Sequence, residues 1–221
     1  MKFFWINLDF SIDRRNNMIS QFDKHNIDNY RVEAYHPLTN DINSKENACI
    51  RSHIQAIFHF VMNTNDKYAI ICEDDLSFEL KPYWKNSLEE VIENAPRDWG
   101  IIQLAIILQA VEKKLIDKNL YFKYSEQPAS STLAYAINRN CAIQLLNKYI
   151  DGAHHKRYPS ADSFSGGIYA RVNANTDFTS YIYKFPMFIY PDDNDSLINN
   201  CLPLHISSKR QVVNFVKKYA I

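Results

Sequence analysis

Apolar positions along this chain fall into two rhythms. Short runs at Phe3–Leu8, Tyr30–Tyr35, Tyr68–Cys72, Gly100–Leu108 and Thr132–Ile137 have the length and β-branched content of buried strands. Between them the apolar residues recur at helical spacing. Met18, Ile19 and Phe22 mark a helix over Ile12–His25. Ile50, Ile54, Ile57, Phe58 and Val61 mark one opened by Ser44. Leu88, Val91 and Ile92 fall within Tyr83–Asn94, and Ala142, Leu145, Leu146 and Tyr149 within Arg139–Tyr149 behind an Asn138 cap. Strands alternating with helices predict an α/β fold with a mainly parallel sheet and helices on both faces. The C-terminal third is less regular. It predicts a helical stretch from Ser160 or Asp162 to Ala170, strands at Thr179–Tyr183, Met187–Tyr190 and Cys201–Ile206, and a closing amphipathic helix over Ser207–Tyr219.

One strand ends in an unusual way. Tyr68–Cys72 runs straight into Glu73, Asp74 and Asp75. Three adjacent carboxylates cannot stay ionised in a core without partners. They therefore belong at the carboxyl end of the strand, the edge at which open α/β sheets bind ligands. Carboxylates on a rigid strand end suit a hard divalent cation, and through it a phosphate. The competing reading is an exposed acidic turn; a position directly after a buried strand favours the cation.

Composition narrows the partners. With 221 residues, 46% of them hydrophobic, the chain suits one domain spanning 1–221 with a sizeable core. The 25 basic and 25 acidic side chains cancel and form no basic stripe, which argues against nucleic acid as the main partner. Only 4 glycines occur, so neither a Walker loop nor a dinucleotide fingerprint is present. Cys49, Cys72, Cys141 and Cys201 are widely separated and read as reduced, buried small hydrophobes. The N-terminus lacks a signal-peptide pattern and no apolar run has transmembrane length. The expectation is a cytoplasmic protein, or a domain of a larger one. Abundant Asn, Ile, Lys and Tyr point to an AT-rich or viral genome.

Other residues carry both bland and functional readings. Arg14 and Arg15 are surface charges on a first helical turn, or face a nucleotide at a strand-to-helix turn. Arg51-Ser52-His53 lies beside a helical apolar stripe. Asp162, three residues after Pro159, caps a helix through its dipole or acts as a general base. Asp192-Asp193-Asn194-Asp195-Ser196 lacks the glycine and closing glutamate of a calcium loop. His205, placed at an apolar strand end, is a core histidine or a metal ligand.

Several segments together resemble glycosyltransferase family 25, which includes lipooligosaccharide and collagen hydroxylysine galactosyltransferases. Trp5-Ile6-Asn7-Leu8-Asp9 with Asp13-Arg14-Arg15 is similar to the family's opening. Ala48-Cys49-Ile50-Arg51-Ser52-His53 resembles its Gly-Cys-x-x-Ser-His segment, with Ala48 replacing the glycine. Ile70-Ile71-Cys72-Glu73-Asp74-Asp75 resembles its Leu-Ile-x-Glu-Asp-Asp. Thr132–Ile137 through Leu145-Leu146 and Pro159 with Asp162 follow in family order, with Asn140-Cys141 where a glycine is usual.

The resemblance implies a GT-A (Rossmann-like) fold, a UDP-sugar donor carrying galactose or glucose, Mn²⁺ or another divalent cation, and inverting transfer to a saccharide or protein hydroxyl. It further implies Asp75 as direct metal ligand, with Glu73 and His205 completing the metal set. Asn7, Asp9, Arg14, Arg15, Ser52, His53, Glu73 and Asp74 then line the donor side, and Asp162 is the catalytic base. The alternative is a non-catalytic nucleotide-sugar or carbohydrate-binding module on the same fold. A metal-dependent nucleotidyltransferase fits less well, because the sequence has neither a Gly-rich loop nor a basic triphosphate clamp.

Overall fold

Side chains on a strand point alternately to its two faces, and the first strand, β1 (Phe3–Asn7), is buried on both. Phe3 and Trp5 pack with Met18 and Phe22 of the helix α1 (Ile12–His25). Phe4 and Ile6 pack with Ile54, Ile57 and Phe60 of α2 (Ile42–Asn63) on the opposite face. The computed structural model describes residues 1–149, 167–191 and 202–220. In it the chain continues from α1 to β2 (Asn29–Glu33), through α2 to β3 (Tyr68–Glu73), then to α3 (Leu88–Glu93), β4 (Trp99–Gln103), α4 (Val111–Leu115) and β5 (Tyr121–Lys123). β6 (Ala134–Asn138), α5 (Arg139–Tyr149), α6 (Gly167–Asn175), β7 (Thr179–Tyr183) and α7 (Leu202–Tyr219) follow.

Among the described residues the sheet has seven strands in the order β2-β1-β3-β6-β4-β7-β5. β1, β2, β3, β4 and β7 run one way; β6 and β5 run the other. The fold is thus the expected α/β arrangement with a mainly parallel sheet. Helices α1 and α3 cover one face, and α2, α5 and α6 the other. β1 lies between β2 and β3, reached by crossovers on opposite faces. The carboxyl ends of β1 and β3 therefore bound a crevice at a topological switch point. A third apolar cluster joins α4, β5 and β7 to Val212, Phe215 and Val216 of α7. Among the described residues, no helix is long and apolar enough to cross a membrane.

Several expected elements differ, each for a local reason. The helix expected over Tyr83–Asn94 begins only at Leu88, because Ser87 and Glu90 form a capping box there. A short 3₁₀ turn occupies Lys81–Tyr83. Asp41, not Ser44, caps α2: its side chain accepts the Ser44 N–H at 2.9 Å. The run expected to be a strand through Leu108 leaves the sheet after Gln103, yet Leu104–Ile106 stay buried. Met187–Tyr190 makes only an isolated bridge, Ile189 to Ser77, not a strand. The segment Leu202–Ile206 is helical, not extended. Pro203 falls in the first turn of α7, where a missing N–H costs nothing. Ile19 and Phe58, expected to face inward, are exposed.

Gly100 is held by contact rather than by backbone shape. A Cβ there would meet Phe178 Cβ at 2.6 Å and Cys141 Sγ at 2.7 Å. Gly100→Ala should therefore destabilise by roughly 1–3 kcal/mol through overpacking. Urea denaturation checks this, and an unchanged midpoint would refute it.

Candidate functional site

β1 and β3 end side by side, and their last residues meet across the crevice. Asn7 is buried at the end of β1. Its Nδ2 donates to Asp74 Oδ2 at 2.6 Å and to the Ser11 carbonyl at 3.2 Å. Its Oδ1 accepts Arg15 Nε at 3.0 Å and Arg31 Nε at 2.9 Å. Both arginines also reach the Asp9 carboxylate, Arg15 at 3.2 Å. The Arg31 hydrogen bond holds Asp9 below the usual carboxylate range. Arg14, one turn into α1, points the other way: its Nη1 lies 3.0 Å from Asp74 Oδ1 and 3.5 Å from Asp75 Oδ2. The two adjacent arginines thus serve different ends of one network.

The three acids after β3 are not equivalent. Glu73 accepts from Thr132 Oγ1, and its Oε1 lies 3.3 Å from His53 Nε2. Burial works to raise its carboxyl, but His53, Thr132 and Arg14 outweigh that and hold it below its ordinary value. Asp74 is 7% exposed. Burial raises it, although Asn7 and Arg14 pull it down. Asp75 is the outlier. Burial first, then the charge of Glu73, pushes it up to about 7 against the pull of Arg14. Among the described residues its buried Oδ1 has no hydrogen-bond partner, a costly arrangement for an acceptor.

These groups open onto a cavity of about 310 Å³. Ile6, Leu8, Phe10, Ala34, Tyr35 and Pro37 make one apolar and aromatic side, and Glu73, Asp74, Asp75 and Arg14 make the acidic end. Lys45, Cys49, Ser52 and His53 of α2 close the wall.

Ser52 and His53, expected beside the apolar stripe of α2, lie within its buried face. Ser52 Oγ donates to the Ala48 carbonyl at 2.7 Å and accepts the Tyr35 N–H at 2.8 Å, so it fastens α2 to the segment after β2. His53 Nδ1 sits 3.1 Å from the Tyr135 hydroxyl.

Some participants were not singled out from sequence. Thr132 reaches Glu73, and the residue before it, Ser131, adopts a φ of 103°, a conformation that a surrounding structure must enforce. Gln103 Nε2 at 2.9 Å and the Tyr169 hydroxyl at 2.8 Å both donate to the Ser131 carbonyl and hold it there. Cys49 is reduced, as expected, but only partly buried; burial still pushes its thiol up, and it stands in the cavity wall. Its spacing of four from His53 on one helix face was the available signal.

His205 lies in the first turn of α7 and does not line the cavity. Its ring packs on Tyr190 at 5.5 Å between centroids, and Tyr190 is near enough to Asp75 for that charge to oppose its ionisation, after burial. Asp162 and the acidic loop Asp192–Ser196 lie outside the described residues.

The sequence matches the family model for glycosyltransferase family 25 (LPS biosynthesis protein) over residues 37–154, just over half of the chain. That span holds Ser52, His53 and the three acids; Asn7, Asp9, Arg14, Arg15, Asp162 and His205 fall outside it. No curated protein matches the sequence. Among solved structures, it is similar to a glycosyltransferase involved in glycosylation of the major capsid of PBCV-1, with 9% identity, 98% of each chain covered and a TM-score of 0.49. It is also similar to the glycosyltransferase GlyE of Streptococcus pneumoniae TIGR4, with 8% identity and a TM-score of 0.45. That match covers 99% of this chain and 62% of GlyE.

Proposed function

The chain belongs to glycosyltransferase family 25, and on that premise we propose that it moves a hexose, galactose or glucose, from a UDP-sugar to a hydroxyl of a saccharide or protein acceptor. The transfer is inverting and uses Mn²⁺ or another divalent cation. One observation carries the reading: Asp75 lines a cavity at the switch point of the sheet, and its buried Oδ1 has no hydrogen-bond partner among the described residues. A cation there would supply the missing partner and lower the carboxyl that burial raises. The donor set, oxygen-rich and at a strand end, fits a hard divalent ion. The family's description as a lipopolysaccharide biosynthesis group supports a saccharide acceptor.

In this reading Asp75 holds the ion, Glu73 supports it, and His205 is the candidate for a further position. The ion, when bound, neutralises the charge that develops on the departing nucleoside diphosphate. Asp74 is committed to Asn7 and Arg14 and fixes the strand ends relative to each other. Asn7, Asp9 and Arg15 shape the nucleoside end, where Tyr35 and Phe10 offer aromatic surface. Ser52 and His53 wall the donor pocket, and Lys45 supplies a cation for phosphate. Asp162 takes the proton from the attacking acceptor hydroxyl.

UDP release from UDP-galactose and UDP-glucose, measured with Mn²⁺ and with EDTA, tests the reading. Metal-dependent release is expected. Asp162→Asn should retain donor affinity while transfer falls on the order of 100-fold or more; lost donor affinity would sink its assignment as base. Donor binding without turnover would instead identify a binding module.

A further inference from the structure

The α2 wall of the cavity carries a second constellation, of different chemistry from Asp75. Cys49 and His53 are four residues apart on α2, so they share a face and stand one turn apart. Glu73 meets them from the tip of β3. One ligand atom from each of the three lies within 4.8 Å of the other two. All three residues line the cavity, so the cluster has an entry path and room for an outer ligand.

From this we infer that Cys49, His53 and Glu73 form a site for a thiophilic divalent cation of the zinc class, beside the hard-ion position at Asp75 and sharing Glu73 with it.

Three features favour the site over a plain hydrogen-bond network. The first is spacing. His53 Nε2 and Glu73 Oε1 are 3.3 Å apart, long for a charge-assisted hydrogen bond. Ligands held at about 2.0–2.1 Å around a tetrahedral zinc are roughly 3.3 Å from each other, so this pair already has the edge length of a zinc tetrahedron. The second is support. The remaining ring nitrogen of His53 lies 3.1 Å from the Tyr135 hydroxyl, the outer partner that a metal-bound histidine needs to fix its orientation. The third is rigidity. The ligands come from a helix and a strand end buried in one core, not from loops, so little ordering is needed on binding.

The set of thiol, imidazole and carboxylate selects zinc or cobalt over magnesium or calcium. Binding displaces the Cys49 thiol proton to solvent and leaves a metal–thiolate bond. The ion would pin α2 to the tip of β3, and it shares Glu73 with the donor side of the cavity. The inference stands on side-chain geometry and holds whether or not the chain transfers sugar.

Co²⁺ added to the reduced, metal-free full-length protein provides the test. One bound Co²⁺ with a sulfur-to-cobalt charge-transfer band is expected, displaced by Zn²⁺. Cys49→Ala should abolish the band and weaken Zn²⁺ binding by more than the roughly 10–100-fold that losing an outer partner costs. His53→Gln should weaken it as well, and Asp75→Asn should leave the band in place. Co²⁺ binding without a charge-transfer band would overturn the site, as would a band that survives Cys49→Ala. Circular dichroism of each variant confirms that it is folded, so a lost band reports a lost ligand.

Discussion

Asp75→Asn will stabilise the metal-free protein above neutral pH while removing its metal-dependent chemistry. An unfolded aspartate carboxyl has its ordinary value of 3.8, whereas burial and Glu73 push folded Asp75 up to about 7. Below the lower value both states are protonated, and the residue costs nothing. As pH rises through that window, the unfolded chain gives up its proton first and gains relative to the fold. Above about 7 the full penalty is in place. A shift of this size caps the penalty at ~4 kcal/mol. The asparagine variant escapes it, so urea denaturation in EDTA should show the variant gaining stability over the parent as pH climbs from about 4 to about 8. Mn²⁺ should stabilise the parent more at the upper end than at the lower. Parallel pH profiles for parent and variant would rule out a carboxyl raised by burial. Transfer should fall on the order of 1,000-fold in the same variant, because several kcal/mol of charge stabilisation is lost.

Arg14→Met is the opposite case, destabilising because it leaves charge behind. Arg14 is the cation that touches both Asp74 and Asp75. Its removal strands buried carboxylates with their repulsion unopposed, a change that costs about 3–5 kcal/mol in comparable buried pairs. The loss should be largest near pH 8 and shrink near pH 5, where Asp75 is protonated. Adding Asp75→Asn to Arg14→Met should recover part of it, since contacting residues are energetically coupled. Thermal denaturation of the single and double variants measures this. Strict additivity of the two changes would contradict the network.

Much of the architecture was legible in the chain. The alternation of Phe3, Trp5 with Phe4, Ile6 encodes a strand covered on both faces. The helices over Ile12–His25 and Arg139–Tyr149 have the expected bounds, because apolar period and flanking residues agree there. The acids after Cys72 sit at the strand end, as charge in a core requires. Strand direction was less legible. β6 runs antiparallel between β3 and β4, and a five-residue apolar run carries no mark of its direction. The burial of polar residues on a helix face was less legible for a similar reason. Ser52 and His53 look like surface until Tyr35, Tyr135 and Glu73 arrive from distant segments to satisfy them. The hold of Gln103 and Tyr169 on Ser131, next to the Thr132 that reaches Glu73, joins residues far apart in sequence. No local pattern announces it.

Calorimetric titration of UDP-galactose or UDP-glucose into the parent protein and Asp75→Asn, each with Mn²⁺ and with EDTA, shows whether a cation at Asp75 holds the donor. The parent is expected to bind in Mn²⁺, with binding sharply weakened both by EDTA and by Asp75→Asn. Equal donor affinity in EDTA, or undiminished Mn²⁺-dependent affinity in Asp75→Asn, would contradict a donor held through a cation at this strand end.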